Sequence, residues 1–453
     1  MKVPRLESEL GIEVYASQSL GIGGRIRQFP KDFVVEEVLV DGTKAEIGNA
    51  EIPPPTGIGR YLVCSLRKRD WDTLLAIRKV AKRLGISGDR IRIAGIKDAR
   101  ALTAQHITIS RITPAEISQV KIQDITLRPL YYSNRKLSSK LLLGNQFHIL
   151  IRGIPHAASV ITHRIEKVQN ELSNTGGLPN FFGHQRFGTI RPNTHLVGRF
   201  LVQEDLEKAA LTFLAEPSLH EHPESREARQ RLHETEDFKE ALHTFPRRLK
   251  YERMMLSHLA TQPRDFLGAF RRLPSKLRRL FVQAYQSFLF NKFLSKRIRR
   301  EIPLNSAQAG DYTVKLDSHG LPAASFTQPT DQSLQSVQKA IDENRMRVAL
   351  PLIGFEQNPS EGVQGEIEKE ILETERLTPE DFRISSLPET SSRGVLRTAL
   401  TPIINLSIEE LSEDWTNPSS QALKLGFMLH RGSYATVLLR EYMKPHDLIA
   451  AGF

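Results

Sequence analysis

The sequence of 453 residues predicts an α+β protein built from at least two domains. Its first third alternates short apolar runs with few helical segments between them, which favours an α+β sheet over a doubly wound one. After about residue 190 the pattern changes to long, charged helical segments. A chain of this length also exceeds what one hydrophobic core usually serves, so a division into domains is expected.

The N-terminal part predicts a set of strands and two helices. The strands are expected at 33–40, 60–66, 90–94, 105–109 and 146–151, where apolar residues recur with period two. Asp70 or Asp72 can cap the first helix, and Gly85 can end it. The second helix is expected over 157–172. The apolar stripe of the first helix is predicted to consist of Leu74, Leu75, Ala81 and Leu84.

The rest of the chain predicts a helical region followed by a return to strand. Over 281–300 apolar side chains recur at helical spacing and predict core packing; they are Phe281, Ala284, Tyr285, Phe288, Leu289 and Phe293. The acidic segment 354–381 is predicted to be a linker or a surface helix. Strand character returns at 426–429, and this strand and the helix after it are expected to rejoin the N-terminal sheet.

Charge is concentrated in one segment. Between 264 and 300 there are eleven basic residues and one acidic residue, so this segment carries +10 of the chain's net +11. Such a concentration suits a phosphate backbone, although a solvated helix face is the simpler interpretation. The residues predicted to contact the phosphates of such a backbone are Arg271, Arg272, Lys276, Arg278 and Arg279.

Composition narrows the class of protein. The apolar content of 40% and charged content of 25% are ordinary for a soluble protein, and no run approaches the roughly 18 apolar residues of a membrane span. A cytoplasmic enzyme is therefore predicted. The single cysteine, Cys64, excludes an internal disulfide and a cysteine-based zinc site, and it is expected to be buried and inert. The histidines within 220–243 match no metal-ligand spacing and predict an exposed helix or loop, so no metal is expected.

A carboxylate in a turn is the strongest candidate for chemistry. Asp98 follows Gly95-Ile96-Lys97 and lies between two alternating runs, with Thr103 and Gln105 behind it. A solvated turn pair is the simpler interpretation of such a motif. Because neighbours in an extended chain point to opposite faces, Lys97 is expected to fix the turn or meet a phosphate rather than share the pocket of Asp98.

A second motif combines rings, glycines and amides. Asn180-Phe181-Phe182-Gly183-His184-Gln185-Arg186-Phe187-Gly188 could let a flat base approach the backbone while Asn, Gln and Arg bond its edge. An aromatic loop packed under a helix is the competing interpretation.

The two motifs together, in this order, resemble those of the TruD family of pseudouridine synthases. Two further segments are similar to motifs of that family: Pro30-Lys31-Asp32-Phe33-Val34-Val35-Glu36-Glu37 and Arg431-Gly432-Ser433-Tyr434-Ala435-Thr436-Val437-Leu438-Leu439-Arg440-Glu441. The resemblance spans almost the whole chain. It implies a catalytic domain that is discontinuous in sequence, formed by 1–189 and 401–453, and that contains a mixed or antiparallel sheet. It also implies an inserted α/β domain over 190–400. The sequence departs from the family at Phe181, where many relatives carry Tyr, and at Arg27, where bacterial relatives carry Lys.

The resemblance also implies roles. Asp98 is the essential carboxylate, which attacks C1′ or takes the C2′ proton, and Arg440 is the arginine paired with it. Phe182 stacks on the flipped uracil, Asn180 bonds its edge or a neighbouring nucleotide, and Glu37 and Arg27 organise the pocket floor. Gln185 and Lys97 complete the predicted substrate contacts. The implied substrate is tRNA, at position thirteen of the D-arm, with no cofactor, and a monomer is expected.

Two alternative functions remain open. An RNA-binding or chaperone protein could keep the scaffold without catalysis, although the carboxylate of Asp98 argues against it. A methyltransferase or deaminase is disfavoured because neither a glycine-rich cofactor loop nor a zinc signature is present; Gly21-Ile22-Gly23-Gly24 is too short for such a loop.

Overall fold

The structure, a computed structural model, describes residues 1–48, 55 and 57–453. The strands, in chain order, are β1 Phe33–Leu39, β2 Tyr61–Arg69, β3 Ile91–Ile93, β4 Leu102–Ser110, β5 Ile125–Ser133, β6 Leu142–Ile154, β7 Leu178–Pro179, β8 Tyr312–Leu316, β9 Pro322–Thr327, β10 Met346–Leu352, β11 Val395–Thr398, β12 Leu400–Thr401, β13 Ile404–Glu413 and β14 Gln421–His430.

Helices alternate with these strands and dominate the middle of the chain. They are α1 Arg5–Glu9, α2 Thr73–Arg83, α3 Pro114–Ser118, α4 Ala158–Asn174, α5 Thr194–Val202, α6 Leu206–Ala215, α7 Pro223–Thr235, α8 Phe238–Thr244, α9 Lys250–Leu259, α10 Phe266–Arg272, α11 Ser275–Arg299, α12 Leu334–Asp342, α13 Gly362–Glu375 and α14 Ala435–Met443. The α+β class is therefore confirmed. In the described part of the chain, no helix is both long and apolar enough to span a bilayer.

The chain forms two compact units. The sheet unit comprises Ser17–Leu178 and Thr401–Phe453, and the helical unit comprises Met1–Ala16 and Pro179–Leu400. These bounds differ from the predicted 1–189, 190–400 and 401–453, because the first sixteen residues and 179–189 belong with the middle segment. No change in composition marks residue 16, so the sequence could not place that boundary.

The sheet unit is built on one sheet of eight strands, in the order β13-β14-β6-β1-β4-β2-β5, with β3 also paired to β4. Among the described residues of this sheet, β1 and β4 run parallel and the other strand pairs are antiparallel. All five predicted strands are present. The pairing of β14 with β6 confirms that the C-terminal segment rejoins the N-terminal sheet.

Helix α2 covers one face of this sheet. Asp72 caps it by accepting a hydrogen bond from Leu75 N at 2.9 Å, as predicted. The buried stripe, however, consists of Ala76, Val80 and Ala81, which pack against strand residues including Cys64. Leu74 and Leu75 are 48% and 53% exposed, so their predicted burial was wrong. Burial raises the pKa of the Cys64 thiol to about 12, as suits an inert cysteine.

The helical unit is organised around α11. Most of the predicted apolar positions of this helix are fully buried, among them Tyr285, Leu289 and Phe293. Helix α5 approaches α11 closely at Gly198, where a Cβ would lie 2.0 Å from the Phe281 carbonyl oxygen. Strands β8 to β11 form a four-stranded sheet in the order β11-β10-β8-β9. The acidic segment 354–381 contains α13, whose residue Ile367 is buried; it is part of the packed unit and not a linker.

Candidate functional site

Asp98 lies in the loop between β3 and β4, within the sheet unit. These strands pair antiparallel, with Ile93 opposite Ile107, so the loop emerges at one end of the sheet. The Asp98 side chain is 32% exposed, whereas the Lys97 side chain is 3% exposed. The predicted opposite orientation of these two neighbours is therefore observed, and Asp98 is the one that solvent or a ligand can reach.

The backbone of this loop is fixed by side chains from two elements. Gln105 of β4 donates from Nε2 to the Gly95 carbonyl at 3.0 Å. Thr73 of α2 donates from Oγ1 to the Lys97 carbonyl at 3.0 Å and accepts from Lys97 N at 3.1 Å. Because its carbonyls are held in this way, the loop presents Asp98 in one position, which limits the reorganisation needed during a reaction.

Lys68 of β2 is a residue of the site that the sequence analysis missed. Its ammonium donates to the Asp98 carbonyl oxygen at 2.6 Å, and the residue is fully buried. Burial lowers the pKa of Lys68 to about 8, although the charge of Asp98 opposes part of that shift. The sequence Arg67-Lys68-Arg69 does not distinguish Lys68 from its neighbours. The inward orientation of Lys68 follows from the pairing of β2 with β4.

Arg27 is the arginine that pairs with Asp98. Its Nη2 lies 3.0 Å from Asp98 Oδ1, its Nη1 donates to the Gly452 carbonyl at 3.1 Å, and its Cζ lies 4.0 Å from the centre of the Phe33 ring. Burial lowers the pKa of the Arg27 guanidinium, while the charge of Asp98 acts in the opposite direction. Within the described residues Oδ2 of Asp98 accepts no hydrogen bond. One carboxylate oxygen is thus held by a cation, and the other has no hydrogen-bond partner among the described residues.

Arg27 itself is held in an uncommon backbone conformation, with φ of 57°. Its contact with Gly452 requires a very close approach of the chain, since a Cβ on Gly452 would lie 2.0 Å from the Ile26 carbonyl oxygen. A residue other than glycine that adopts a positive φ carries backbone strain, and such strain often occurs at functional sites.

Glu37 and Lys97 form a fully buried ion pair beside the loop. Lys97 Nζ lies 2.6 Å from Glu37 Oε1, and His106 N donates to Glu37 Oε2 at 2.9 Å. Burial by itself raises the pKa of Glu37, but the hydrogen bond from His106 and the charge of Lys97 hold it below its usual range. Lys97 therefore fixes the turn; the alternative contact with phosphate does not fit a side chain that is 3% exposed.

Arg440 lies on α14 and is fully buried. Its Nη1 donates to Glu441 Oε1 at 2.6 Å, and Glu441 Oε2 in turn accepts from Ser17 Oγ at 2.7 Å. The guanidinium that pairs with Asp98 is that of Arg27, so the structure differs here from the predicted pairing of Arg440 with Asp98. The sequence interval between Asp98 and either arginine gave no means of choosing between them.

The aromatic motif lies in the helical unit. Asn180 and Phe182 are buried, and Gln185 is exposed. The Asn180 amide donates to the Thr398 carbonyl at 3.1 Å, and its Oδ1 accepts from Arg397 Nη2 at 2.6 Å. Phe182 meets Phe290 edge to face at 5.6 Å, with the Arg397 guanidinium 4.1 Å from its ring centre. Asn180 and Phe182 therefore have structural partners within this unit.

Replacing Phe182 by Leu tests how much of its role is packing. Because the ring is 8% exposed and contacts both Phe290 and Arg397, we expect Phe182→Leu to lower the free energy of unfolding by about 1–3 kcal/mol. The midpoint of urea unfolding and the single-turnover rate should be measured on the same preparation. If stability is unchanged while the rate falls strongly, Phe182 contacts the substrate and its packing is secondary.

Most of the cations within 264–300 have acidic partners. Arg278, one of the residues predicted to contact phosphate, has a side chain 10% exposed and lies 2.5 Å from Glu389. Arg279 is exposed but donates to the Glu389 carbonyl at 2.7 Å. The other cations with carboxylate partners in this segment are Lys292, Lys296, Arg297, Arg299 and Arg300. The predicted phosphate contact of Arg278 is therefore corrected to a structural one.

The remaining predicted cations are exposed, and one of them borders a basic cleft. Arg271, Arg272 and Lys276 form no ion pair within the described residues. Arg272 contributes to a cleft of about 580 Å³ in the helical unit that no carboxylate lines. Its lining residues are Arg247, Lys250, Arg253, Met254, Ser257, His258, Thr261 and Arg272. The described residues contain no grouping of three or more His, Cys, Asp or Glu side chains suited to a metal ion.

Comparison with known proteins identifies the family of this chain. A model of the family described as tRNA pseudouridine synthase D (TruD) matches residues 9–442. Two relatives named probable tRNA pseudouridine synthase D are similar over nearly their whole length. That of Methanosarcina acetivorans is 43% identical over 452 residues, with 99% of each chain covered; that of Thermococcus onnurineus is 37% identical over 437 residues, covering 95% of this chain and 97% of the relative.

A solved structure is similar as well. The crystal structure titled as a tRNA pseudouridine synthase D (TruD) from Methanosarcina mazei matches with a TM-score of 0.82 and 39% identity, covering 98% of this chain and 99% of that one. With its sheet, its loop carboxylate and these matches over nearly every residue, the chain belongs to the tRNA pseudouridine synthase D family.

Proposed function

We propose that this protein is an isomerase that converts a uridine of tRNA into pseudouridine, with Asp98 as the reacting carboxylate. The observation that carries the proposal is the asymmetric environment of this side chain, which is 32% exposed: Arg27 holds Oδ1, while Oδ2 accepts no hydrogen bond from the described residues. Family membership supplies the substrate class, because the relatives are named for tRNA pseudouridine formation.

The reaction breaks the N1–C1′ bond, turns the base and joins C5 to C1′, while the proton on C5 is lost and N1 gains one. Atoms and electrons balance, so neither an oxidant nor an energy source is required. The Asp98 oxygen that Arg27 does not hold can attack C1′ or remove the C2′ proton. The target base has to leave its stack, because C1′ and C5 are inaccessible within a helix.

The surrounding residues have distinct roles in this proposal. Arg27 stabilises the carboxylate charge and limits its rotation. Lys68 and the Glu37–Lys97 pair are positioning residues that act through the loop backbone. Gln185, which is exposed, stays the candidate for reading a base edge. Modification at position thirteen of the D-arm by a cytoplasmic monomer stays a prediction.

A tritium-release assay tests the proposed function. A tRNA transcript labelled with tritium at C5 of uridine should release one tritium to water for each pseudouridine formed, and the modified position should be mapped chemically on the product. We expect release from a single position. Binding of the tRNA without any release would overturn the proposal and favour the RNA-binding protein without catalysis.

The basic cleft offers a second test, through salt dependence. We expect Arg247→Ala and Lys250→Ala each to flatten the plot of log affinity for tRNA against log salt concentration, by about 0.7–0.9 for each phosphate that the variant no longer neutralises. Arg300→Ala is the matched control, since this exposed arginine is already paired with Glu370 at 2.9 Å. Equal slopes for all three variants would show that the cleft does not bind phosphates.

A further inference from the structure

Trp415 is unusually exposed for a tryptophan. It lies in the loop between β13 and β14, in the sheet unit, and 72% of its surface is accessible. Tryptophan is large and highly buried on average, so an open indole leaves a substantial apolar area in contact with water. Isolated exposed apolar residues are common, and the surroundings of this ring are what distinguish it.

The indole is one half of an aromatic stack. Its ring lies 6.0 Å from that of Phe29, with an angle of 7° between the two planes. The Arg152 guanidinium carbon lies 5.4 Å from both ring centres, and the ammonium of Lys31 lies 5.8 Å from the indole. Lys31 is exposed and has no ion pair within the described residues.

A buried charge network holds both rings in place. Arg152 donates to Asp32 from Nε at 3.0 Å and from Nη2 at 2.9 Å, and it donates to Asp414 from Nη1 at 3.2 Å. Asp32 ends the turn that carries Phe29, and Asp414 directly precedes Trp415. Asp414 also accepts from Thr416 N and Gly153 N, at 3.0 Å and 2.8 Å. The loop is therefore preorganised, which lowers the entropy lost when a ligand stacks on the indole.

The stack is carried in part by the same short segment of chain as Arg27, the residue that pairs with Asp98. Phe29 is two residues from Arg27, which contacts Asp98, and two residues of chain span at most about 7 Å. Flipping a uridine leaves its neighbours with one unstacked face each, and these bases need a replacement surface. A flat ring with an adjacent ammonium suits a base with its phosphate.

We propose that Trp415, with Phe29 behind it and Lys31 beside it, is a platform on which an unpaired base near the target uridine stacks. The inference rests on the proposed function for the identity of the RNA. The platform is sequence-tolerant, because every base has a π-face, so it contributes affinity and positioning rather than base identity.

Fluorescence of Trp415 provides a direct test. The chain has two tryptophans, Trp71 and Trp415, so Trp71→Phe leaves Trp415 as the only indole. Asp98→Asn added to this variant keeps the complex from turning over. We expect tRNA to quench this fluorescence and to protect the indole from acrylamide, and single-stranded oligouridine to do so more than duplex RNA of equal length. An indole that stays equally accessible at saturating tRNA overturns the platform.

Kinetics separate the platform from the proposed function. Stacking of one base predicts that Trp415→Ala lowers kcat/KM on tRNA by about tenfold to a hundredfold, with Trp415→Phe intermediate. Leu20→Ala is the control, since Leu20 is 61% exposed on the same unit. If the wild-type protein forms pseudouridine and Trp415→Ala matches it, the platform is wrong and the function stands. If the wild-type protein forms no pseudouridine, the proposed function is wrong, and quenching of Trp415 fluorescence by RNA still tests whether a base stacks on the platform.

Discussion

Asp98→Asn is expected to abolish pseudouridine formation, with a loss in single-turnover rate of at least about 10³-fold. The amide keeps the size of the side chain but cannot attack C1′ or accept a proton as the carboxylate does. Affinity for tRNA should stay within several fold, because phosphate contacts elsewhere dominate binding. The rate of tritium release and the affinity should be measured with the same tRNA.

Two controls accompany this substitution. Asp89→Asn removes an exposed carboxylate near the start of β3 and should leave the rate unchanged. Asp98→Glu keeps the charge but moves it by one methylene, and it should recover little activity if the fixed loop defines the position of the reacting oxygen. A sizeable share of wild-type turnover in Asp98→Asn would remove this residue from the chemistry.

In the eight-stranded sheet, the strands that the sequence analysis missed, β5 and β13, lie at the two edges. β5 contains Pro129, and the register with β2 shifts beside it. β13 contains exposed glutamates. Proline and charge are features that protect an edge strand from pairing with another chain, and they also weaken the period-two pattern. The central strands of this sheet were predictable, because they are apolar on one or both faces and keep a clear hydrophobic pattern.

The site was predictable where it depends on local geometry. Alternation along the loop correctly separated the buried Lys97 from the accessible Asp98. The choice of Arg27 over Arg440 as the partner of Asp98 was not predictable, because it depends on how Gly452 and Phe33 hold the Arg27 side chain. Contacts between residues that are far apart in sequence leave no local pattern.

The charge count illustrates the same limit. The total of +10 over 264–300 was correct, but it could not show which cations are already neutralised. The carboxylate that pairs with Arg278 is that of Glu389, which lies more than a hundred residues later in the chain. Meanwhile Arg247 and Lys250, which line the basic cleft, lie before the segment that the count selected.

The buried pair of Glu37 and Lys97 is expected to make the largest contribution to stability among the residues around Asp98. Removing one partner leaves an uncompensated charge in the interior, so Glu37→Gln and Lys97→Met should each lower the free energy of unfolding by about 3–5 kcal/mol. Because the pKa of Glu37 lies below its usual range, its contribution is present at neutral pH and is lost as the pH falls through its usual value and below. Denaturant unfolding of each variant at pH 7 and pH 4 measures both effects.

The double variant Glu37→Gln/Lys97→Met gives the decisive comparison. It leaves no lone charge in the interior, so its loss of stability should be clearly smaller than the combined losses of the two single variants. Arg69→Gln is the matched control, since Arg69 pairs with Asp124 on the same unit but is 59% exposed; it should cost about 1 kcal/mol or less. Additive losses in the double variant would mean that the two side chains stabilise the loop independently and that their ion pair does not hold the turn of Asp98.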